Sequence, residues 1–237
     1  MSFLQDLHAH IRGILPGIPL PESEKTRLLV QIGIPEDQSV VEGFTNPLDF
    51  ELVKDSVGLE ALASKLKGWD SAVVLDIETS SVEPEHGEIV SVGLRVGESN
   101  FYLPLTHRDG VGALLSDQLP LLAVVQAVPF QELKIIAHNA KFECRWLKFH
   151  AGVELNVFWD TLIAETVFNF DNRHRLDLES LASDKLGVSE WALTQEQISE
   201  FAKVPLLVAA SYNAKDLIYT NKLYDLQKEE ISNAELA

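Results

Sequence analysis

Positive charge and cysteine are what this chain has least of. It carries 19 Lys and Arg against 36 Asp and Glu, a formal charge of −17 in 237 residues. Binding along a nucleic-acid backbone rests on many Lys and Arg contacts that release counterions, so this balance argues against an extended grip of that kind. A small site that meets phosphate through metal ions stays open, holding a few nucleotides at one end. Most of the acids read simply as a soluble surface. The single cysteine, Cys144, excludes an intramolecular disulfide and a cysteine-cluster zinc site, and with no adjacent base it reads as a packing residue. No apolar run approaches the ~20 residues that span a bilayer. The opening MSFLQDLHAHIRGILPGIPLPESE lacks the basic start and long apolar stretch of a secretory signal. These absences suit a reducing cytoplasm and no membrane partner. Internal repeats and low-complexity blocks are missing too.

What is present, 46% hydrophobic and 23% charged residues, suffices for one sizeable core plus an extension. Residues 1–47 stand apart: Pro16, Pro19, Pro21, Pro35 and Pro47 punctuate two short amphipathic pieces, around Phe3 to Ile14 and Ser23 to Ile32. They read as a helical extension of unknown role. A second domain, 48–237, begins as the pattern becomes regular. FELVKD predicts a strand, VGLEALASKLKGW a helix with Leu59, Leu62, Ala63 and Leu66 on one face, and SAVVLDIE a central strand. EIVSVGLRVG and SNFYLPL predict two strands joined by a turn at Gly97 to Ser99. Ala113 to Val128 reads as helical, and LKIIAHN as a strand leading into a helix from Ala140 to Phe149. DTLIAETVFNF, LDLESLASDKLG, Gln195 to Phe201 and LLVAASYNAKDLIYTNKLYDLQKEE are further helices. A meander, then a helix, then a strand flanked by helices make a mixed α/β sheet the economical architecture.

The chemistry starts at SAVVLDIETS. A side-chain period of two puts Asp76 and Glu78 on one face of a buried strand, where two acids repel and are costly to desolvate. Such a pair favours a hard divalent ion, Mg²⁺ or Mn²⁺, bound through oxygen. Alone it specifies little, because an exposed strand end carries Asp-x-Glu just as readily. In HNAKFECRWL, Glu143 falls on the first turn of a helix whose Phe142, Trp146 and Phe149 can pack inward. It can project toward the strand ends or simply favour the positive end of the helix dipole. In SYNAKD, Tyr212 and Asp216 lie four apart on one helix face. A tyrosine hydroxyl there can orient a water beside a metal-bound carboxylate. The plainer reading is a partly buried tyrosine with a solvated acid one turn on.

Taken in order, LDIETSS, HNAKFE and YNAKD resemble the three motifs of the 3′-to-5′ exonuclease domain of the DEDD nuclease superfamily. The subtype is the tyrosine one, found as the proofreading domain of family A DNA polymerases. FYLPLTHR, FWDTLIAETVFN and LDLESLASDKLG resemble the segments between those motifs, so the likeness spans roughly residues 48–230. Ser211 stands where the histidine subtype carries its histidine.

The resemblance implies a ribonuclease H-like fold, an antiparallel meander plus parallel strands flanked by helices. It implies two divalent cations, Mg²⁺ or Mn²⁺, about 4 Å apart, that activate a water and stabilise the leaving 3′-oxygen. Asp76 would bridge them, Glu78 and Asp216 would complete the tighter site, and Tyr212 would help Glu78 aim the water. Asn139 would hold the terminal nucleotide, with Thr79 and Val82 against the substrate end. The expected reaction releases 5′-mononucleotides from single-stranded or frayed DNA 3′ ends, by a free-standing enzyme or by the proofreading part of a split polymerase whose partner is a DNA polymerase chain. RNA as substrate, in the manner of RNase D, is the alternative, and a non-catalytic binding module is a third. Glu143 departs from the pattern, since the family has Asp there as a ligand of the looser metal site. Asp160 and Asp177 read as helix caps or supporting partners. Histidines 107, 138 and 174 read as surface or hydrogen-bonded core residues. The four tryptophans read as core or core-edge residues, any exposed one being able to stack on a base.

Overall fold

The computed structural model describes residues 50–109, 111–168, 175–188 and 193–235, with side chains to 233 in the last stretch. The extension expected over 1–47, His174 and Trp191 lie outside the described residues. Six strands form one sheet in the order β1-β4-β3-β2-β5-β6. They are β1 (Glu51–Leu52), β2 (Val73–Thr79), β3 (Ile89–Val96), β4 (Ser99–Pro104), β5 (Ile135–Ala137) and β6 (Val157–Asp160). β2, β3 and β4 are the antiparallel meander; β1 joins β4, β5 joins β2 and β6 joins β5 in parallel. This is the mixed α/β sheet the sequence predicts. Among the described residues there are seven α-helices: α1 (Ser56–Leu66), α2 (Leu121–Ala127), α3 (Lys141–Ala151), α4 (Thr161–Phe168), α5 (Leu178–Leu186), α6 (Gln195–Ser199) and α7 (Leu206–Glu235). None of them is long and apolar enough to cross a membrane.

The pleat of β2 sorts its residues between two layers. Val73, Leu75 and Ile77 are buried in the larger core, with Leu59, Leu62 and Leu66 of α1, Val124 of α2 and Trp146 and Leu147 of α3. Each such Val or Leu, fully withdrawn from water, contributes roughly 1.5–3 kcal/mol. Asp55 starts α1 by accepting the Gly58 N–H at 2.9 Å. Against the other face runs α7, packed on β2, β3, β4 and β5. Ala209, Ala210 and Ala214 are buried along it, small residues that let helix and sheet backbones approach closely. Its distal half is fastened by a buried network. Trp159 Nε1 donates to Gln227 Oε1 at 3.0 Å, Gln227 Nε2 donates to the Thr161 carbonyl at 2.9 Å, and Lys185 pairs with Glu165 at 2.9 Å.

Four local expectations need correction. Only Leu121–Ala127 of the segment from Ala113 to Val128 is helical, because Pro120 is the N-cap and the preceding residues form an irregular loop. FELVKD contributes just two strand residues at the sheet edge. Asp160, expected to open the helix over DTLIAETVFNF, instead ends a sixth strand, Val157–Asp160, and the helix starts at Thr161. Phe149 does not pack inward but is 55% exposed, while Trp146, three residues earlier, is fully buried.

Candidate active site

The site forms where β2 ends beside the first half of α7. β2 and β3 pair with Asp76 opposite Gly93 and Glu78 opposite Ser91, and the register shifts between Glu78 and Thr79. Such a bulge re-aims a strand end, and bulges are common beside active sites. Asp76, Glu78 and Asp216 each present a carboxylate oxygen within 4.8 Å of the others. Thus Asp76 and Glu78 do share a face of β2, and α7 brings the third acid to them.

Burial raises the Asp76 carboxyl from its ordinary range to about 7, against a lowering from the Asn213 amide. Burial, then the charges of Asp76 and Asp216, hold Glu78 well above the usual carboxylate range, against a lowering from the same Asn213 amide. Glu143 lies outside the three-acid group but close enough for electrostatics. The residue is 2% exposed, and its carboxyl is raised by burial and by the charge of Asp76. Glu78 Oε1 and Glu143 Oε2 are buried with no hydrogen-bond partner among the described residues. Mutually repelling carboxylates with uncommitted buried oxygens are the donor set of a hard divalent cation, so these residues fit Mg²⁺ or Mn²⁺.

Tyr212 is half-buried on α7 with its ring centroid 6.2 Å from that of Phe201. Burial, then the charges of Asp216, Glu78 and Asp76, push its hydroxyl up, so it stays protonated and offers only its O–H and lone pairs. The residues expected at the substrate end do not belong to the three-acid group. Thr79 is half-buried, its hydroxyl donating to the Ser81 carbonyl at 2.6 Å. Val82 is 76% exposed on the following loop, which Arg145 of α3 pins through Glu83 and Glu85. Asn139 is exposed and holds φ at 66°, a left-handed conformation that asparagine tolerates better than most residues.

Asp160 supports this arrangement. Its carboxylate accepts the N–H of Asn139 at 3.1 Å and of Ala140 at 2.8 Å, supplying the cap that Ala140 itself does not give α3. It also accepts the N–H of Leu162 at 2.9 Å and Ile163 at 3.2 Å, capping α4. Asp177 caps α5 through Ser180 at 3.0 Å. Both therefore act as caps. His138 is hydrogen-bonded to Thr161 and the Leu176 carbonyl, and His107 is buried against Tyr102 at 2.7 Å. Asn213 escapes a reading by motif: it sits inside YNAKD, but its role depends on β3, far away in sequence. Its Nδ2 donates to Asp76 Oδ2 at 2.6 Å.

A family model described as 3′-5′ exonuclease matches residues 50–231. DNA polymerase I of Chloroflexus aurantiacus is 29% identical over 232 residues, covering 93% of this chain and 23% of that protein. DNA polymerase I of Synechocystis sp. is 30% identical over 206 residues, covering 82% of this chain and 20% of that protein. The chain thus spans about a fifth to a quarter of the length of these relatives. Among solved structures, Brucella melitensis NrnC bound to pGG has a TM-score of 0.55 at 18% identity, covering 72% of this chain and 78% of that one. The Aedes aegypti Nibbler EXO domain has a TM-score of 0.52 at 18% identity, covering 76% of this chain and 88% of that one. These two likenesses show the fold.

Proposed function

Because the chain belongs to the 3′-5′ exonuclease family over residues 50–231, we propose that it is a metal-dependent exonuclease that removes 5′-mononucleotides from single-stranded or frayed DNA 3′ ends. The observation that carries this reading is the approach of Asp76, Glu78 and Asp216 to within 4.8 Å of one another. Asp76, Glu78 and Asp216 would hold one divalent ion, Mg²⁺ or Mn²⁺, and Asp76 with Glu143 a second. When bound, the ions supply the charge that makes water a nucleophile near neutral pH and stabilises the departing 3′-oxygen. The chain's own groups orient the reactants. Tyr212, protonated, accepts or donates one hydrogen bond to the attacking water, and Glu78 takes another, so the water's lone pair faces the terminal phosphorus. Asn139, Thr79 and Val82 line the approach and hold the terminal nucleotide, whose small footprint suits a chain of charge −17. DNA is favoured as polymer because the curated relatives are DNA polymerases, and a DNA polymerase chain is the partner this reading expects.

The test is incubation of the protein with a 3′-overhang duplex, single-stranded DNA and single-stranded RNA under Mg²⁺ or Mn²⁺. Release of mononucleotides from the DNA 3′ ends, absent in Asp76→Ala, is the expected result. Faster degradation of RNA would replace the DNA reading, and no degradation under either metal would refute the enzymatic one.

A further inference from the structure

The buried amide of Asn213 has a setting that packing alone does not account for. The residue is fully buried on α7, and its Nδ2 donates to Asp76 Oδ2 at 2.6 Å. Its Oδ1 is buried without a hydrogen-bond partner among the described residues. On its other side lies Gly93, the residue directly opposite Asp76 in the β2–β3 ladder. Paired residues project to the same face of a sheet, so a side chain at 93 would share the space beside Asp76. A Cβ at Gly93 would lie 1.9 Å from Asn213 Oδ1, 2.7 Å from its Cγ and 2.9 Å from its Nδ2. Gly93 has no positive φ, so its backbone conformation does not call for glycine. What calls for glycine is the amide that fills the place of a side chain.

We propose that Asn213, seated on the bare backbone of Gly93, is a positioning residue that holds the Asp76 carboxylate in place for the divalent ion. The proposal rests on the metal-dependent function above. The reasoning is electrostatic. Asp76 stands among like charges, and repulsion from Glu78 and Asp216 would turn an untethered carboxylate away from them. A donor on Oδ2 opposes that rotation. A lysine could also donate, but its charge would compete with the ion for the same oxygens, whereas a neutral amide fixes the ligand without opposing the cation. Leaving Oδ1 buried and unpartnered is unfavourable for stability, which a role in ligand placement explains better than a role in packing.

The test measures Mn²⁺ binding by titration calorimetry without nucleic acid, beside thermal melting of the metal-free proteins. Asn213→Ala, and Asn213→Leu of similar bulk without the donor, should weaken Mn²⁺ binding by about 10–100-fold, the cost typical of a lost outer partner. Gly93→Ala should weaken it similarly by expelling the amide. Gly93→Ala combined with Asn213→Ala should bind like Asn213→Ala alone, not with the product of the two losses. On single-stranded DNA the Asn213 variants should lose kcat with KM unchanged. If Gly93→Ala does not fold, the two Asn213 variants decide. Wild-type Mn²⁺ affinity in both would overturn the inference and leave the exonuclease reading standing. A wild-type protein that binds no Mn²⁺, or binds it undiminished in Asp76→Ala, would overturn the metal-dependent reading and this inference with it.

Discussion

One strand shows two kinds of surface. Val73, Leu75 and Ile77 of β2 are 0%, 1% and 4% exposed in an apolar core, where every neighbour lowers the free energy of the fold. On the opposite face Val74 gives way to Asp76 and Glu78, and the layer under α7 continues with Gly93, Asn213 and Asp216. There the groups repel, buried oxygens lack partners, and carboxyls are driven toward their protonated forms. Apolar burial and clustered carboxylates are thus separated by the strand's period of two, and a substitution one residue along β2 should change a different property of the protein.

The largest effect expected on the polar face is loss of turnover. Asp76→Asn should lower kcat by at least about 10³-fold, beyond the ~10–100-fold typical of lost outer partners, and should not lower the melting temperature of the metal-free protein. A variant that loses activity and melts early would break the separation. One step away, Leu75→Ala should do the reverse. Emptying a fully buried site costs about 2–5 kcal/mol, read as a fall in denaturation midpoint at unchanged slope, while the folded fraction keeps its turnover and Mn²⁺ affinity.

The pH dependence sharpens the same contrast. The Asp76 carboxyl is raised from 3.8 to about 7 in the folded chain, so without metal the native state binds more protons than the unfolded state between those limits. Its contribution to stability is therefore full below about pH 4 and is lost as pH rises through about 7. Glu78 and Glu143 shift in the same direction. In a chelator, melting temperature should fall across this window more steeply for wild type than for Asp76→Asn. Adding Mn²⁺ above pH 7 should restore it, with release of protons on binding. Parallel curves for the two proteins would show that Asp76 is already ionised.

The apolar face was largely legible in the sequence. Val73, Leu75 and Ile77, and the leucines of α1, follow periods set by local geometry, so their neighbours need not be known. Asp76 and Glu78 were legible as a pair for the same reason. Less visible were features decided by distant partners. β6 is too short to announce itself and takes its place as a strand by pairing with the edge of β5. Phe149 follows the helical pattern of Trp146, yet the core ends before reaching it. Gly93 carries no turn signal, and its meaning appears only when α7 brings Asn213 across it. Reading Ala113 to Val128 as one helix passes over Pro120, which stands as the N-cap of a helix that starts only at Leu121.

Glu143 is where the two faces meet. It projects from α3, which is anchored in the apolar core by Trp146 and Leu147, both fully buried. Its carboxyl nevertheless feels the charge of Asp76. With the helix held there, a backbone shift that compensated a shorter side chain at 143 would disturb the packing of Trp146 and Leu147. Glu143→Asp withdraws the carboxylate by about one C–C bond, ~1.5 Å, against ions whose contacts tolerate little error. We expect a loss of about tenfold or less in kcat with Mg²⁺, smaller with Mn²⁺, and no change in melting temperature. A gain on Glu143→Asp would show instead that the native glutamate strains the proposed second metal site, and that its carboxylate reaches too far across the boundary between the faces.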